Sequence, residues 1–356
     1  MEYSGDNQMT QLSSMTHHER FMAALQGEPT DRVPVFPVLM FLAVDRAGIT
    51  YREFATNGRA LAEAQLLVQE RFDLDAITAC SDAFRVSGDL ARVLGGEMVY
   101  PDDKPPYLRK PLIASDADLD RLGRPDPTSP KSRMGDRVLG VSELVNGAAG
   151  NVAVLGWIDM PFAEACSVCG VSEFMVLLMD DPALAHRILA HLTEIVIDFA
   201  LAQVEAGADM IGAGDAATSL ISSAMYSDFA LPYEQEVCRA IHDAGGLVKL
   251  HICGNTTHLL GKMATSGADL FNVDHLVPLS EARDVYAAHD KCFKGNLDPV
   301  SHVMQATPDQ CREWAHQCIA LSQGTKYMLS AGCEVPAETP DEVFQAFCEA
   351  PKTFQT

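Results

Sequence analysis

The sequence predicts an α/β protein of the (β/α)8 TIM barrel type. Three observations carry that prediction: eight short apolar runs rich in β-branched residues, segments of helical period between most of them, and glycine or proline at the boundaries. The runs are "VPVFPVLM" (33–40), "DAITAC" (75–80), "NVAVLGWIDM" (151–160), "ADMIGAGD" (208–215), "GLVKLHIC" (246–253), "ADLFNVD" (268–274), "KCFKGNLD" (291–298) and "KYMLSAGC" (326–333). Such short, apolar runs read as strands buried on both faces of a parallel sheet. The count favours a closed barrel over an open doubly wound sheet, since no GxGxxG follows the first run.

Taken in order, residues 1–15 read as a disordered extension and residues 16–356 as a single domain, with no repeat or linker to divide it. After strand 2 comes an inserted region, 81–150, rich in proline, glycine and charge ("PDDKPPYLRKP", "RPDPTSPKS"). It reads as loops and short helices that cover one mouth of the barrel. Helices are expected over 181–207, 226–245 and 307–324, with capping Asp, Ser or Thr near several starts and Gly just past the ends.

Composition excludes several function classes. Hydrophobic residues at 47% and charged residues at 21% are those of a globular chain. No apolar stretch approaches the ~20 residues that cross a bilayer, and the polar N-terminus lacks a signal-peptide core, so the expected location is the cytoplasm. A net charge of −23 argues against nucleic acid and anionic membranes, and against a carboxylate-rich substrate unless a local basic pocket exists. Without a secretory signal the ten cysteines read as thiols. Cys238, Cys311, Cys318 and Cys348 fall in helical patterns, and the lone Cys166-x-x-Cys169 pair, lacking a second pair, reads as structural.

The chemistry concentrates at strand ends. Side chains two apart on a strand share a face, so His251 and Cys253 project together from the end of the fifth strand. Cys333 closes the eighth strand on the same rim, where barrel enzymes keep their active sites. Two readings stand at this point: buried core residues, or a zinc site of one imidazole and two thiolates with an open coordination position. Glu334, beside Cys333, is a candidate fourth ligand. Asp82 after the second strand and Asp215 after the fourth are rim carboxylates suited to orienting substrate or a ligating histidine, or to capping loops. Tyr233, Asn255 and Asp298 are candidate substrate contacts. Each also has a plainer reading, as a buried helix tyrosine or as helix caps.

"HICGNTT", "GNLDPV" and "LSAGCEVP", in that order, resemble the uroporphyrinogen decarboxylase superfamily, and within it the zinc-dependent methylcobamide methyltransferases. The likeness extends from "MTHHERFMAALQGEPTDRVPV" through "SDAFRVSGDLARVLGGEM", "GADMIGAGDAATS" and "LPYEQEV". It implies a barrel and a zinc ion held by His251, Cys253 and Cys333. It also implies methyl transfer between a thiol, or another small acceptor or donor, and a corrinoid. That corrinoid would be carried by a small cobalamin-binding partner protein, since this chain has no Asp-x-His-x-x-Gly motif of its own. The metal-free decarboxylase branch is the alternative, and a non-catalytic zinc-binding paralogue is a further one. The decarboxylases hold a polycarboxylate substrate with paired arginines after the first strand. Here "FPVLMFLAVDRAGIT" offers only Arg46.

Overall fold

Residues 15–355 are described by a computed structural model. The extension expected over 1–15 therefore lies outside the described residues except for Met15, whose carbonyl accepts a bond from Arg20. Nine strands form: β1 (Ala76–Thr78), β2 (Met98–Val99), β3 (Tyr107–Leu108), β4 (Ala153–Asp159), β5 (Met210–Gly214), β6 (Leu247–His251), β7 (Leu270–Asn272), β8 (Cys292–Leu297) and β9 (Tyr327–Ala331). Seven of them pair in parallel in the order β1-β4-β5-β6-β7-β8-β9, while β2 and β3 make an antiparallel hairpin. Helices connect the parallel strands, giving a barrel of the (β/α)8 type.

The eighth position is filled differently from expectation. Residues 33–40 do not form a strand, because Pro34 and Pro37 cannot donate to a ladder. The segment nevertheless joins the two edge strands. Phe36 N–H donates to the Leu329 carbonyl at 3.0 Å, and Asp75 N–H donates to the Val35 carbonyl at 3.0 Å. Asp75, wholly buried, fixes this closure by accepting from Arg20 and Arg32, both at 2.6 Å, and from Val35 N–H at 2.7 Å. The helix His17–Gln26 then plugs the lower end of the barrel, its Phe21 packing edge-on against Phe36 at 5.7 Å. Inward residues of the strands, among them Leu155, Met210, Leu270 and Met328, complete that layer.

Helices Pro182–Glu205 and Pro308–Leu321 match expectation closely, capped by Asp181 and Thr307. The one expected over 226–245 is instead two, Ser223–Phe229 and Leu231–Asp243, because Pro232 cannot continue the first. Within 81–150 lie the β2–β3 hairpin and the helices Arg85–Leu94, Asp116–Leu119 and Arg133–Ala148. Among the described residues no single helix is long and apolar enough to cross a membrane.

Candidate metal centre

His251 ends β6, Cys253 lies two residues beyond it, and Cys333 follows β9 across the barrel mouth. His251 Nε2 stands 3.1 Å from Cys253 Sγ and 3.8 Å from Cys333 Sγ, and the two sulfurs are 3.9 Å apart. Among the described residues, these three form the group of metal-ligating side chains whose donor atoms all lie within 4.8 Å of one another. The chemistry of that donor set fits zinc. Tetrahedral zinc, with bonds of about 2.0 Å to nitrogen and about 2.3 Å to sulfur, has donor–donor edges of roughly 3.6–3.8 Å. Two sulfurs this close cannot both ionise unless a cation lies between them. Their mutual contact accordingly pulls the Cys333 thiol down and pushes Cys253 up, so that the pair shares a proton.

The imidazole is oriented from behind. His251 Nδ1 lies 3.2 Å from the Asn272 carbonyl, which can only accept, so Nδ1 carries the hydrogen and the Nε2 lone pair faces the sulfurs. The Asn272 side-chain amide donates to the Gly332 carbonyl at 3.0 Å, fixing the residue before Cys333. Gly332 tolerates no side chain, since a Cβ there would stand 2.3 Å from His275 N.

The three donors open onto a pocket of about 480 Å³ whose walls include Met40, Trp157, Ala163 and Ala216. The inserted region contributes Leu108 to Pro111, so it does form part of the mouth. Three carboxyls also reach the pocket: Asp82, Asp159 and Glu334. Burial would raise Asp82, but Arg133, Arg85 and Arg137 outweigh it and hold the group below the usual range. Arg133 Nη2 engages both Asp82 oxygens at 2.8 Å. Glu334 is pushed up to about 8 by burial and by Cys333. Its Oε1 accepts from the backbone of Met40, at 3.0 Å, and of Phe41, and it is not among the side chains whose donor atoms lie within 4.8 Å of one another. Asp159 is raised to about 7 by burial.

The other candidates lie elsewhere. Asp215 is fully buried behind β5, accepting from Ala163 N–H at 2.8 Å, and does not line the pocket. Tyr233 bonds to His186 on the neighbouring helix at 2.9 Å. Asn255 caps Thr257 N–H at 3.1 Å, and Asp298 caps the turn Pro299–Met304. Cys166 reaches the pocket, whereas Cys169 packs in the core and is pushed up to about 12 by burial. Two residues beside the site escaped the sequence reading, Asp159 and Asn272. The signal that drew attention to Asp82 and Asp215, a polar side chain at the end of an apolar run, applies equally to both.

The profile of the uroporphyrinogen decarboxylase (URO-D) family matches residues 16–354. A uroporphyrinogen decarboxylase of Xanthomonas campestris is 27% identical over 315 residues, 84% of this chain and 86% of that protein. The methylcobamide:CoM methyltransferase MtbA of Methanosarcina acetivorans is 25% identical over 350 residues, 97% of this chain and 100% of that one. A solved methyltransferase from Methanosarcina mazei superposes with a TM-score of 0.84 at 23% identity, covering 95% of this chain and 99% of that one, which shows the shared fold. The chain belongs to the uroporphyrinogen decarboxylase family.

Proposed function

We propose that this protein is a zinc-dependent corrinoid methyltransferase. It would move a methyl group between a cobalamin carried by a small partner protein and a thiol, or another small methyl acceptor or donor. The convergence of His251, Cys253 and Cys333 at one pocket carries this reading. It is supported by a relative over nearly the whole chain whose name records methylcobamide and CoM. The ten free cysteines suit the reducing cytoplasm, where the reaction is placed.

When bound by these three side chains, zinc supplies a Lewis acid that makes a thiolate available near neutral pH. The two cysteine sulfurs offset the cation's charge, so a sulfur nucleophile keeps its electron density. Met40, Trp157, Ala163 and Ala216 keep water from the reacting sulfur. Asp82, tied to Arg133, holds the inserted region against the barrel and so shapes the mouth.

The pocket suits a polycarboxylate poorly. Arg46 is taken up by Asp341 at 2.8 Å and by the carbonyls of Ala337 and Thr339. Of the basic residues lining the pocket, Arg109 is paired with Glu97 at 2.8 Å, and three carboxyls face them. The test is an assay of the zinc-loaded protein with methylcobalamin and a panel of thiols and methylated donors. Formation of an S-methyl thioether, or loading of the corrinoid, is expected, with loss in Cys333→Ser. No methyl transfer together with carbon dioxide release from uroporphyrinogen would contradict the proposal.

A further inference from the structure

Methyl transfer to a thiol releases a proton, and transfer from a thioether or ether consumes one. The pocket contains a group placed to handle it. Asp159 ends β4, and in the ladder it is paired with Gly214 of β5, which is paired in turn with His251 of β6. Residues in one row of a parallel sheet point the same way, so Asp159 and His251 face the pocket together, about 10 Å apart at the backbone across two strand spacings.

The strand between them presents no side chain. β5 carries glycine at both inward positions of this stretch, 212 and 214. A Cβ at Gly212 would lie 2.5 Å from the Trp157 ring, and one at Gly214 would lie 3.0 Å from Asp159 Oδ1. Trp157 and Asp159 therefore lean across β5 toward β6. The lean is visible one row below, where Lys249 Nζ stands 4.6 Å from the centre of the Trp157 ring. Asp159 and His251 line the same pocket.

Asp159 is also unengaged. Among the described residues its carboxyl accepts no hydrogen bond and makes no ion pair, although the residue is only 8% exposed. The groups facing it are Cys80, Asp82 and Arg85 from the segment after β1, Glu164 from the helix Pro161–Cys169, and buried Asp215. Of these only Arg85 is cationic, and its charge is shared with Asp82 and its guanidinium bonded to Ser81. A buried carboxyl with no donor of its own lacks one partner, a proton or a proton donor brought by the substrate.

Resting on the methyltransferase reading, we propose that Asp159 is a catalytic residue, the proton carrier for the substrate heteroatom. In the thiol direction the S–H bond breaks, its electron pair stays on sulfur, and the proton passes to an Asp159 oxygen. The sulfur–carbon bond then forms while the carbon–cobalt pair stays with the departing corrinoid. In the reverse direction the same carboxylic acid protonates the heteroatom as its bond to methyl breaks, by microscopic reversibility. Burial, which raises the group's affinity for a proton, suits it to both tasks.

The test counts protons when the zinc-loaded protein binds coenzyme M, by calorimetry at about pH 8 in buffers of different ionisation heat. The wild type is expected to release clearly fewer than one proton per site, because the bound thiolate's negative charge raises Asp159 above its resting value of about 7 and the carboxyl keeps part of the thiol's proton. Asp159→Asn is expected to release close to one per site, and Asp159→Glu to restore the wild-type count. Infrared difference spectra of the wild type alone provide a second measurement. Thiol binding should raise the carbonyl band of a protonated carboxyl. Thiol binding with full proton release by the wild type and no such band would overturn the role of Asp159 while leaving the methyltransferase reading intact. Failure of any thiol in the panel to bind or be methylated would overturn both.

Discussion

The backbone carbonyl of Asn272 accepts the Nδ1–H of His251 at 3.2 Å, and the side chain of the same asparagine donates to Gly332, the neighbour of Cys333. One buried residue on β7 therefore sets the orientation of donors from β6 and from beyond β9. Its carbonyl fixes the tautomer of the imidazole, and its amide fixes the loop that delivers the second sulfur.

Asn272→Ala keeps the first bond and loses the second. The Gly332 carbonyl is left without its donor, at a cost of about 1–3 kcal/mol in folding stability. Zinc affinity should fall by roughly 10–100-fold, the usual effect of removing a supporting partner. Competition against a chromogenic chelator, with urea unfolding alongside, measures both. Unchanged zinc affinity would show that the Cys333 loop needs no such tie.

Asp82 is the carboxylate within 4 Å of all three of Arg133, Arg85 and Arg137. Removing its charge in Asp82→Asn leaves three largely buried guanidinium groups without their shared ion-pair partner, a loss of about 3–5 kcal/mol. Because its folded-state pKa is lowered, its contribution is fully present above the unfolded value near 3.8 and disappears as pH falls below it. The stability gap between wild type and variant should thus be wide at neutral pH and close in acid, as followed by urea unfolding across pH. A gap that does not change with pH would mean the carboxylate charge contributes nothing.

Glu234 behaves in the opposite sense. Burial raises it from 4.5 to about 7, against hydrogen bonds with Asp215 and Tyr226 that favour its charged form. A folded-state pKa above the unfolded one stabilises fully below about 4.5, and the benefit is lost as pH rises through about 7. Glu234→Gln removes that titration. It should flatten the stability profile in this window and gain on the order of 2 kcal/mol at alkaline pH. A profile as steep as the wild type's would assign the slope to other groups.

Much of this arrangement was legible in the sequence, because it follows from period and position. Alternation on a strand placed His251 and Cys253 on one face, and the barrel rule placed Cys333 at the same end. The apolar runs gave seven of the strands. The remaining run, 33–40, is apolar enough to resemble a strand, but Pro34 and Pro37 leave it only isolated bridges. Asp215 shows what position along a strand cannot decide. It follows β5 directly, one residue past the Gly214 that pairs with Asp159, and so it faces the helices while Asp159 faces the pocket. The Asn272 tie was hidden because it depends on a loop 60 residues away.

The central claim is that His251, Cys253 and Cys333 hold one metal ion together. Zinc content of the purified protein, wild type beside Cys333→Ser, tests it most directly. About one zinc per chain is expected in the wild type and a markedly lower content in the variant, since a hydroxyl is a poor substitute for thiolate. A wild type that is metal-free after reducing, chelator-free purification would contradict it.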